Sequence, residues 1–281
     1  MLIASWNVNS IRSRLSQVIK WLEDERPEVL CLQETKVSDK DFPYKTFENI
    51  GYNVKFYGQK SYNGVAIISK VNISDIRYGF PGELNQLEIS EELHVQKRII
   101  SGLINGIRII NVYVPNGSSL NSGKFKYKIN WLTMLNEYLV KQSKRGEPTC
   151  LLGDFNIALD DNDIYAPDKF AGSIMASEIE RKMLREVLGS RFKDSFRVFE
   201  KCSGHWSWWD YRNNSFELNK GWRIDHIYLS NNLLSNLKSS VIERSQREKN
   251  QPSDHAPIMI NLDFQENLIE FDDDDDDIFN F

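Results

Sequence analysis

Short apolar runs bounded by Gly, Pro or polar residues recur along the chain, and this pattern predicts β-strands. The runs are LIASWN, EVLCLQE, GVAIIS, PTCLLGD, RIDHIYLS and APIMINL. Two further runs in RIISGLINGIRIINVYVPNG flank Asn105-Gly106, a dipeptide that favours a two-residue turn between antiparallel strands. We therefore predict sheets that are at least partly antiparallel.

Three other segments place apolar residues at helical spacing. They are LSQVIKWLEDE, the segment from Phe125 to about Lys144, and SEIERKMLREVLGS, which has Ser177 as its N-cap and ends at Gly189. The predicted apolar face of the third helix consists of Ile179, Met183, Leu184 and Val187. Helices and strands alternate too irregularly for a Rossmann-type series, so an α+β sandwich with sheets inside and helices outside is predicted.

The bulk composition fits a single compact domain. The chain has 281 residues, 41% of them hydrophobic, and no linker or repeat divides it, which predicts one domain over residues 1–265 and an acidic tail over 266–281. The start of the chain lacks the basic region of a signal peptide, and no apolar run approaches the roughly 20 residues of a membrane span. Cys31, Cys150 and Cys202 have no metal-ligand spacing. Buried, reduced thiols in a cytoplasmic, bacterial-type protein are predicted.

The net charge of −5 is unevenly distributed along the chain. From Asp263 onward there are nine acidic residues and no Lys or Arg, so the preceding part carries +4. A mildly basic body does not exclude a phosphate-rich ligand.

Polar side chains stand at the ends of several predicted strands. Burial in a core explains the apolar residues of a strand, but it does not explain a carboxylate or amide at the strand's end. Strand ends that converge at one rim of a sheet place such groups in a common cleft. The residues in question are Asn7, Asn9, Glu34, Tyr113, Asn116, Asp154, Asn156, Asp225, Asp254 and His255.

The chemistry open to these residues is narrow. Glu34 and Asp254, with the amide oxygens of Asn7 or Asn9, are hard ligands of the kind that Mg²⁺ prefers. An imidazole oriented by a carboxylate, as in His255 beside Asp225, stabilises a phosphate oxygen or takes a proton. Asp154 could orient and deprotonate a water, with hydrogen bonds to the phosphate from Tyr113, Asn116 and Asn156. Together these roles predict a phosphodiester hydrolase.

Ordinary structural explanations exist for the same residues taken singly. They are a solvated strand end for Glu34, a turn cap for Asp154, a turn residue for Asn7, a core aromatic for Tyr113 and an ion pair with Arg223 for Asp225. The accumulation of these groups on separate strands favours the catalytic interpretation.

Seven segments occur in the order and approximate spacing of a known family. They are SWNVNSIRSR, LCLQETKV, NVYVPNG, LLGDFNIA, SWWDYR, GWRIDHIYLS and PSDHAP. From Leu2 to about Leu262 the chain resembles the exonuclease III family of apurinic/apyrimidinic endonucleases, within the DNase I-like metal phosphoesterases. GYNV, GFPG, WWDYR and GWRID point to the DNA-repair branch. The resemblance implies a four-layer α/β sandwich, two packed, mostly antiparallel sheets flanked by helices.

The resemblance also implies roles for individual residues. The implied metal ligands are Asn7, Asn9, Glu34, Asp154, Asn156 and Asp254. The implied catalytic residues are Tyr113, Asp154, Asn156, Asp225 and His255, with Asn116 and Arg12 contacting phosphate. Trp208, Trp222 and Ile224 match the family's pocket for a base-free sugar, whereas Trp206 and Trp209 are interpreted as core.

The implied activity is Mg²⁺-dependent cleavage of duplex DNA 5′ to abasic sites and removal of 3′-terminal nucleotides or blocking groups by a monomer. Mn²⁺ would serve the same oxygen ligands, and either Asp154 or His255 could be the general base. A phosphomonoesterase or phospholipid-type esterase on the same scaffold is the first alternative, and a catalytically silent DNA-binding module is the second. Further candidates for DNA-backbone contacts are Arg14, Lys60, Lys124, Lys126 and Lys128, although the last three could equally form a solvated helix face.

Two features depart from the family's motifs, and the C-terminal tail lies outside them. Ser10 replaces a Gly that is common in the first motif, and the loop GSSLNSGKF lacks an obvious Arg for insertion into DNA. The tail EFDDDDDDIFNF could simply aid solubility, because six adjacent carboxylates repel one another. It also resembles the acidic tip of bacterial single-stranded-DNA-binding proteins, which predicts docking to a replication or repair protein or shielding of the chain's own DNA groove.

Overall fold

The computed structural model describes residues 1–81, 93 and 95–263. The last residue of GFPG and the acidic tail lie outside this part. The strands, in chain order, are β1 (Leu2–Asn7), β2 (Val29–Gln33), β3 (Asn53–Tyr57), β4 (Val65–Ser69), β5 (Ser74–Tyr78), β6 (Ile99–Ile104), β7 (Ile107–Tyr113), β8 (Thr149–Asp154), β9 (Phe192–Asp194), β10 (Asp225–Ser230), β11 (Leu237–Ile242) and β12 (Ile258–Leu262).

The α-helices of the described residues are α1 (Ile11–Glu25), α2 (Tyr44–Glu48), α3 (Gly123–Ser143), α4 (Pro167–Phe170), α5 (Glu178–Leu188), α6 (Ser195–Phe199) and α7 (Asn231–Leu234). Among them none is long and apolar enough to cross a membrane.

The strands form two six-stranded sheets, with spatial orders β11-β12-β1-β2-β4-β3 and β5-β6-β7-β8-β10-β9. The pairings β1–β2 and β7–β8 are parallel, and the other pairings within the sheets are antiparallel. Asn105 and Gly106 connect β6 to β7 with φ of 48° and 75°, the positive values that a type I′ turn requires. The predicted hairpin and the predicted sandwich are confirmed.

Three apolar layers hold the four structural layers together. Side chains such as Ile3, Cys31, Ile109, Leu152 and Ile227 fill the space between the sheets. The outer face of the first sheet packs on α1, and that of the second packs on α3 and α5. Successive side chains of a strand point to opposite faces of the sheet. Because both faces are covered, each central strand is apolar on both faces.

The structure corrects two sequence predictions about burial. Ile179 was assigned to the apolar face of α5, but it is 56% exposed, and the neighbouring Glu180 is buried instead. Glu180 closes a capping box with Ser177, and this bond turns its carboxylate toward the core. Cys202 lies exposed in the loop after α6, so only Cys31 and Cys150 are the buried thiols that were predicted.

Candidate active site

The register of the second sheet places three polar residues side by side. Asp154 at the end of β8 pairs with Asp225 on β10 and with Tyr113 at the end of β7. They share the inward face with core residues such as Ile109, Leu152 and Ile227 because strand side chains alternate with a period of two. The polar groups thus occupy the inward positions at one edge of the sheet, which are the ends of β7 and β8 and the start of the antiparallel β10.

Gly153 permits the close approach of β7 and β8 at this edge. Its φ is 139°, and a Cβ atom there would lie 1.9 Å from the carbonyl oxygen of Val112. A side chain at this position would push the strands apart. The glycine of LLGDFN is therefore required for Asp154 to sit beside Tyr113.

The first sheet supplies Asn7 and Glu34, and the Asn7 amide joins the two sheets. Its Nδ2 donates to Glu34 Oε1 and to Asp154 Oδ2, both at 2.9 Å. Glu34 follows β2 directly and also contacts the Lys36 ammonium, with 2.7 Å between Oε2 and Nζ. One buried amide thus holds a carboxylate from each sheet close to the other.

The loop residues that carry these groups adopt unusual backbone angles. Asn9, Glu34 and Asn156 have φ of 43°, 51° and 50°, in the left-handed region that non-glycine residues seldom occupy. Ser10, at the position of the common Gly, has φ of 94°. Such conformations persist only where the surroundings enforce them, and they cluster at functional sites.

His255 and Asp225 form a buried pair. His255 Nδ1 lies 2.8 Å from Asp225 Oδ2, which also accepts a hydrogen bond of 2.7 Å from Ser207 Oγ. Burial opposes the imidazolium charge, but Asp225 and Asp154 outweigh it and raise the pKa of His255 to about 10. His255 is therefore a cation at neutral pH, with Nε2 3.8 Å from Asp154 Oδ2.

The two central carboxylates titrate differently. Burial, with Asp225 and Glu34 nearby, raises the pKa of Asp154 to about 7 although His255 opposes the rise. Burial also disfavours the Glu34 carboxylate, but Lys36 and Asn7 outweigh it and hold the pKa of Glu34 below its usual value. Glu34 is thus an anion at neutral pH, while Asp154 is poised to exchange a proton.

The donor set of the site suits a divalent cation. Within the described part of the chain, the acidic and histidine groups that could hold an ion are Glu34, Asp154 and His255, whose ligand atoms lie within 4.8 Å of one another. The protonated His255 lacks a free lone pair for coordination, which leaves the two carboxylates. Two buried like charges raise each other's free energy, and an oxygen-seeking cation between them would remove that penalty. The residues fit such an ion.

Asp254 lies beside this group with both oxygens engaged. Oδ1 accepts from Asn9 Nδ2 at 2.9 Å, and Oδ2 accepts from Trp208 Nε1 at 3.0 Å. The Asn9 oxygen accepts in turn from Lys36 Nζ at 2.5 Å. Both residues that were predicted as metal ligands are thus held by protein partners around the Glu34–Asp154 pair.

Tyr113, Asn116 and Asn156 line the other side of the site. Asn116 Nδ2 donates to Asn156 Oδ1 at 2.9 Å. Burial and the Glu34 carboxylate hold the pKa of Tyr113 well above its usual range, so its phenol is a neutral donor. A cleft of about 590 Å³ opens beside Tyr113 and Asn116, and Arg98 and Lys124 also line it.

The predicted pocket residues lie together. Trp222 and Ile224 are buried in an apolar cluster, and the partly buried Trp208 packs against it. Trp208 and Trp222 are joined by main-chain hydrogen bonds of 2.9 Å in both directions. Trp206 and Trp209 are buried in a separate cluster, which confirms their interpretation as core.

The cations that were predicted to contact DNA differ in exposure and in hydrogen bonding. Arg12 is exposed near Asp41, at 3.6 Å. Arg14 donates to the Asn9 and Pro252 carbonyls and to the Tyr211 hydroxyl. Lys128 is fully buried with Glu180, so its prediction as a DNA contact or a solvated side chain is wrong. The run of lysines had grouped it with exposed residues, whereas its spacing from Phe125 and Leu132 puts it on the buried face of α3.

Three side chains at the site were not predicted. Lys36 contacts Glu34 and Asn9, and Ser207 contacts Asp225. The Arg98 guanidinium lies 4.6 Å from the centre of the Tyr113 ring. Lys36 and Ser207 stand inside the motifs LCLQETKV and SWWDYR, which was the available signal. Arg98 stands directly before β6 and belongs to none of the motifs. The β6–β7 hairpin places it beside Tyr113.

Comparisons with known proteins identify relatives of this chain. Residues 4–255 match the family described as Endonuclease/Exonuclease/phosphatase. The chain is 35% identical to exodeoxyribonuclease III of Haemophilus influenzae over 270 residues, which cover 92% of this chain and 98% of that protein.

Solved structures share the fold. The 3′-5′ exonuclease NExo of Neisseria meningitidis matches with a TM-score of 0.88 and 38% identity, covering 94% of this chain and all of that one, and NExo from Neisseria has also been solved as a 3′ phosphatase bound to a product DNA hairpin. An AP endonuclease from Archaeoglobus fulgidus matches with a TM-score of 0.85, 36% identity and 94% coverage of this chain.

Proposed function

Because this chain belongs to the endonuclease/exonuclease/phosphatase family, we propose that it is a Mg²⁺-dependent DNA-repair enzyme that cuts duplex DNA 5′ to abasic sites and clears blocked 3′ ends. The chain is a DNA nuclease and a metal-dependent hydrolase. The observation that best supports the finer assignment is the Asn7 bridge, which holds the Glu34 and Asp154 carboxylates at one cleft beside His255.

Asp154 is the proposed general base. Its pKa of about 7 lets it take a proton near neutral pH, whereas His255, with a pKa of about 10, already carries one. A water molecule gives its proton to Asp154 as its oxygen bonds to phosphorus. The bond from phosphorus to the 3′ oxygen breaks, and that oxygen takes a proton from a solvent water, which leaves a 3′ hydroxyl and a 5′ phosphate. Asn156 donates to Asp154 from its main chain at 2.8 Å and keeps the carboxylate in place.

The remaining residues stabilise charge on the phosphate. The His255 imidazolium, the Tyr113 phenol and the Asn116 amide are donors at the edge of the cleft. The proposed ligands of the divalent ion are Glu34 and Asp154, with Asn7, Asn9, Asn156 and Asp254 around them. When bound there, Mg²⁺ supplies positive charge to the phosphate oxygens and the leaving group.

The apolar cluster is the proposed pocket for the base-free sugar. Trp222 and Ile224 present buried carbon surface, and the Trp208 indole is fixed by its bond to Asp254. A sugar without a base suits such a niche, while a flipped normal nucleotide would bring polar base edges that find no partners. The DNA backbone would contact Arg12 and the exposed Lys60, Lys124 and Lys126.

Incision of a duplex with one abasic-site analogue tests this function. We expect cutting 5′ to the lesion with Mg²⁺, at least about a hundredfold faster than cutting of the matched intact duplex, since the pocket discriminates by several unpaired polar groups. Labelled strands resolved on a denaturing gel report the rate, and EDTA is the control for the ion. Equal rates on both duplexes, or hydrolysis of a small phosphate ester alone, would contradict the proposal.

We also propose that residues 1–265 form one catalytic domain and that residues 266–281 are an acidic tail for a partner protein. The support is its sequence, six consecutive Asp followed by Ile278, Phe279 and Phe281, which suits a basic, hydrophobic receptor pocket.

Deletion from Asp272 onward should abolish capture of a purified replication or repair partner, while the rate of DNA incision stays within about twofold because the site is intact. The double variant Phe279→Ala/Phe281→Ala tests the aromatic contribution with the charge retained. Higher DNA affinity after deletion would instead indicate that the tail shields the groove, and no change in either measurement would refute both roles.

A further inference from the structure

Lys128 is a fully buried cation directly beneath the site. Its ammonium in α3 donates to the main-chain carbonyl of Asn116 at 3.1 Å, to that of Asn156 at 2.8 Å and to Glu180 Oε1 at 2.5 Å. An ammonium has three donors, so all of them are used. Two of its three acceptors belong to the loops that carry the proposed phosphate-binding amides.

Glu180 is equally buried and equally engaged. Oε1 accepts from the Met175 main-chain nitrogen at 3.1 Å as well as from Lys128. Oε2 accepts from the main-chain nitrogen and hydroxyl of Ser177 at 3.1 and 2.6 Å. The pair therefore connects α3 and α5 to three loops at once.

The third loop belongs to the proposed sugar pocket. Met175 lies in the apolar cluster with Trp222 and Ile224, and its Sδ is 3.4 Å from Asn116 Nδ2. Its φ is 68°, a left-handed conformation that its bonds to Glu180 and Ala158 hold in place. A single ion pair thus contacts the main chain of the two residues that carry the phosphate-binding amides on one side, and the main chain of Met175 in the pocket wall on the other.

An apolar pair would hold the two helices together as well. Buried ion pairs are often no more stabilising than well-packed hydrophobic residues of similar volume, because the cost of removing the charges from water offsets their mutual attraction. An apolar side chain, however, cannot donate to the Asn116 and Asn156 carbonyls. Only the cation can therefore hold the two loops in fixed positions.

We infer that Lys128 and Glu180 are positioning residues, which set the distance between the phosphate-binding amides and the sugar pocket. This inference rests on the proposed function. Its consequence is kinetic, since amides displaced by a fraction of an ångström still bind DNA but meet the transition state poorly. Loss of the pair should lower the rate of the chemical step and leave DNA affinity nearly unchanged.

Lys128→Met tests the inference, with Arg108→Met as its matched control. Arg108 is also fully buried and ion-paired, with Asp75 and Glu147, but it lies at the start of β7, about 17 Å along the strand from Tyr113. Both variants should lower the melting temperature. Only Lys128→Met should lower the single-turnover incision rate per folded molecule, by about 10- to 100-fold. Its dissociation constant for the abasic duplex should stay within about twofold of that of the unmodified chain.

The double variant Lys128→Met/Glu180→Gln removes the uncompensated charge and should fold if the single variant does not. We expect it to regain stability but not the rate. A rate within twofold of the unmodified chain in the folded double variant, or an equal loss in Arg108→Met, would overturn the inference while the proposed function stands. An unmodified chain that cuts neither abasic nor 3′-phosphorylated duplexes would instead refute the proposed function.

Discussion

Replacing Asp154 by Asn should reduce the single-turnover rate of abasic-site incision by about 10³- to 10⁴-fold at pH 7.5. The amide keeps the size of the carboxylate but cannot take a proton from water. It also removes one of the two negative charges that Asn7 holds together. Affinity for the duplex should change little, because the neighbouring donors and cations remain.

Asp161→Asn is the matched control for this prediction. Asp161 follows in the same loop region, is exposed and pairs with Arg181, so its loss should leave the incision rate within about twofold. Incision by Asp154→Asn at more than about a tenth of the unmodified rate would exclude Asp154 as the base.

Replacing Asp225 by Asn should make the incision rate fall between pH 7 and 9, where the rate of the unmodified protein should stay level once Asp154 has lost its proton near pH 7. The pKa of His255 is raised to about 10, so its protonated form persists through this range and is lost only as the pH rises through about 10. Without the Asp225 charge, burial dominates and the pKa falls toward or below its ordinary value of about 6.5. The imidazolium is then absent at pH 8.

We expect the Asp225→Asn rate to be about 10²- to 10³-fold below that of the unmodified protein at pH 8, and this difference to shrink toward pH 6, because an uncharged imidazole stabilises the phosphate less. Single-turnover rates of both proteins between pH 6 and 9.5 measure this. Ser207→Ala is the control, since it removes a hydrogen bond to the same oxygen but keeps the carboxylate charge, and its profile should have the shape of the unmodified profile. An Asp225→Asn profile parallel to the unmodified one would contradict the assigned charge of His255.

The eight inner strands and the identity of most polar strand ends could be predicted from the sequence, whereas the edge strands β3, β5, β9 and β11 were not among the predicted apolar runs. An apolar run that is bounded by a carboxylate or amide is a local signal, and Asn7, Glu34, Asp154 and Asp225 all carry it. The contacts between them could not be predicted, because Asn7 and Asp154 are 147 residues apart and lie in different sheets. Likewise, helical spacing separates the buried Lys128 from the exposed lysines of α3, but the partners of its ammonium come from other elements and could not be predicted.

By itself, the sequence determined the elements, the family and the residue types available for chemistry, because periodicity and motifs depend on neighbours along the chain. The tertiary structure alone decided the charge state of each group. Asp154 and Glu34 are both carboxylates at strand ends, yet burial raises the pKa of one while Lys36 and Asn7 lower that of the other. Desolvation and Coulomb interactions act through space, and therefore they exist only once distant segments have packed together.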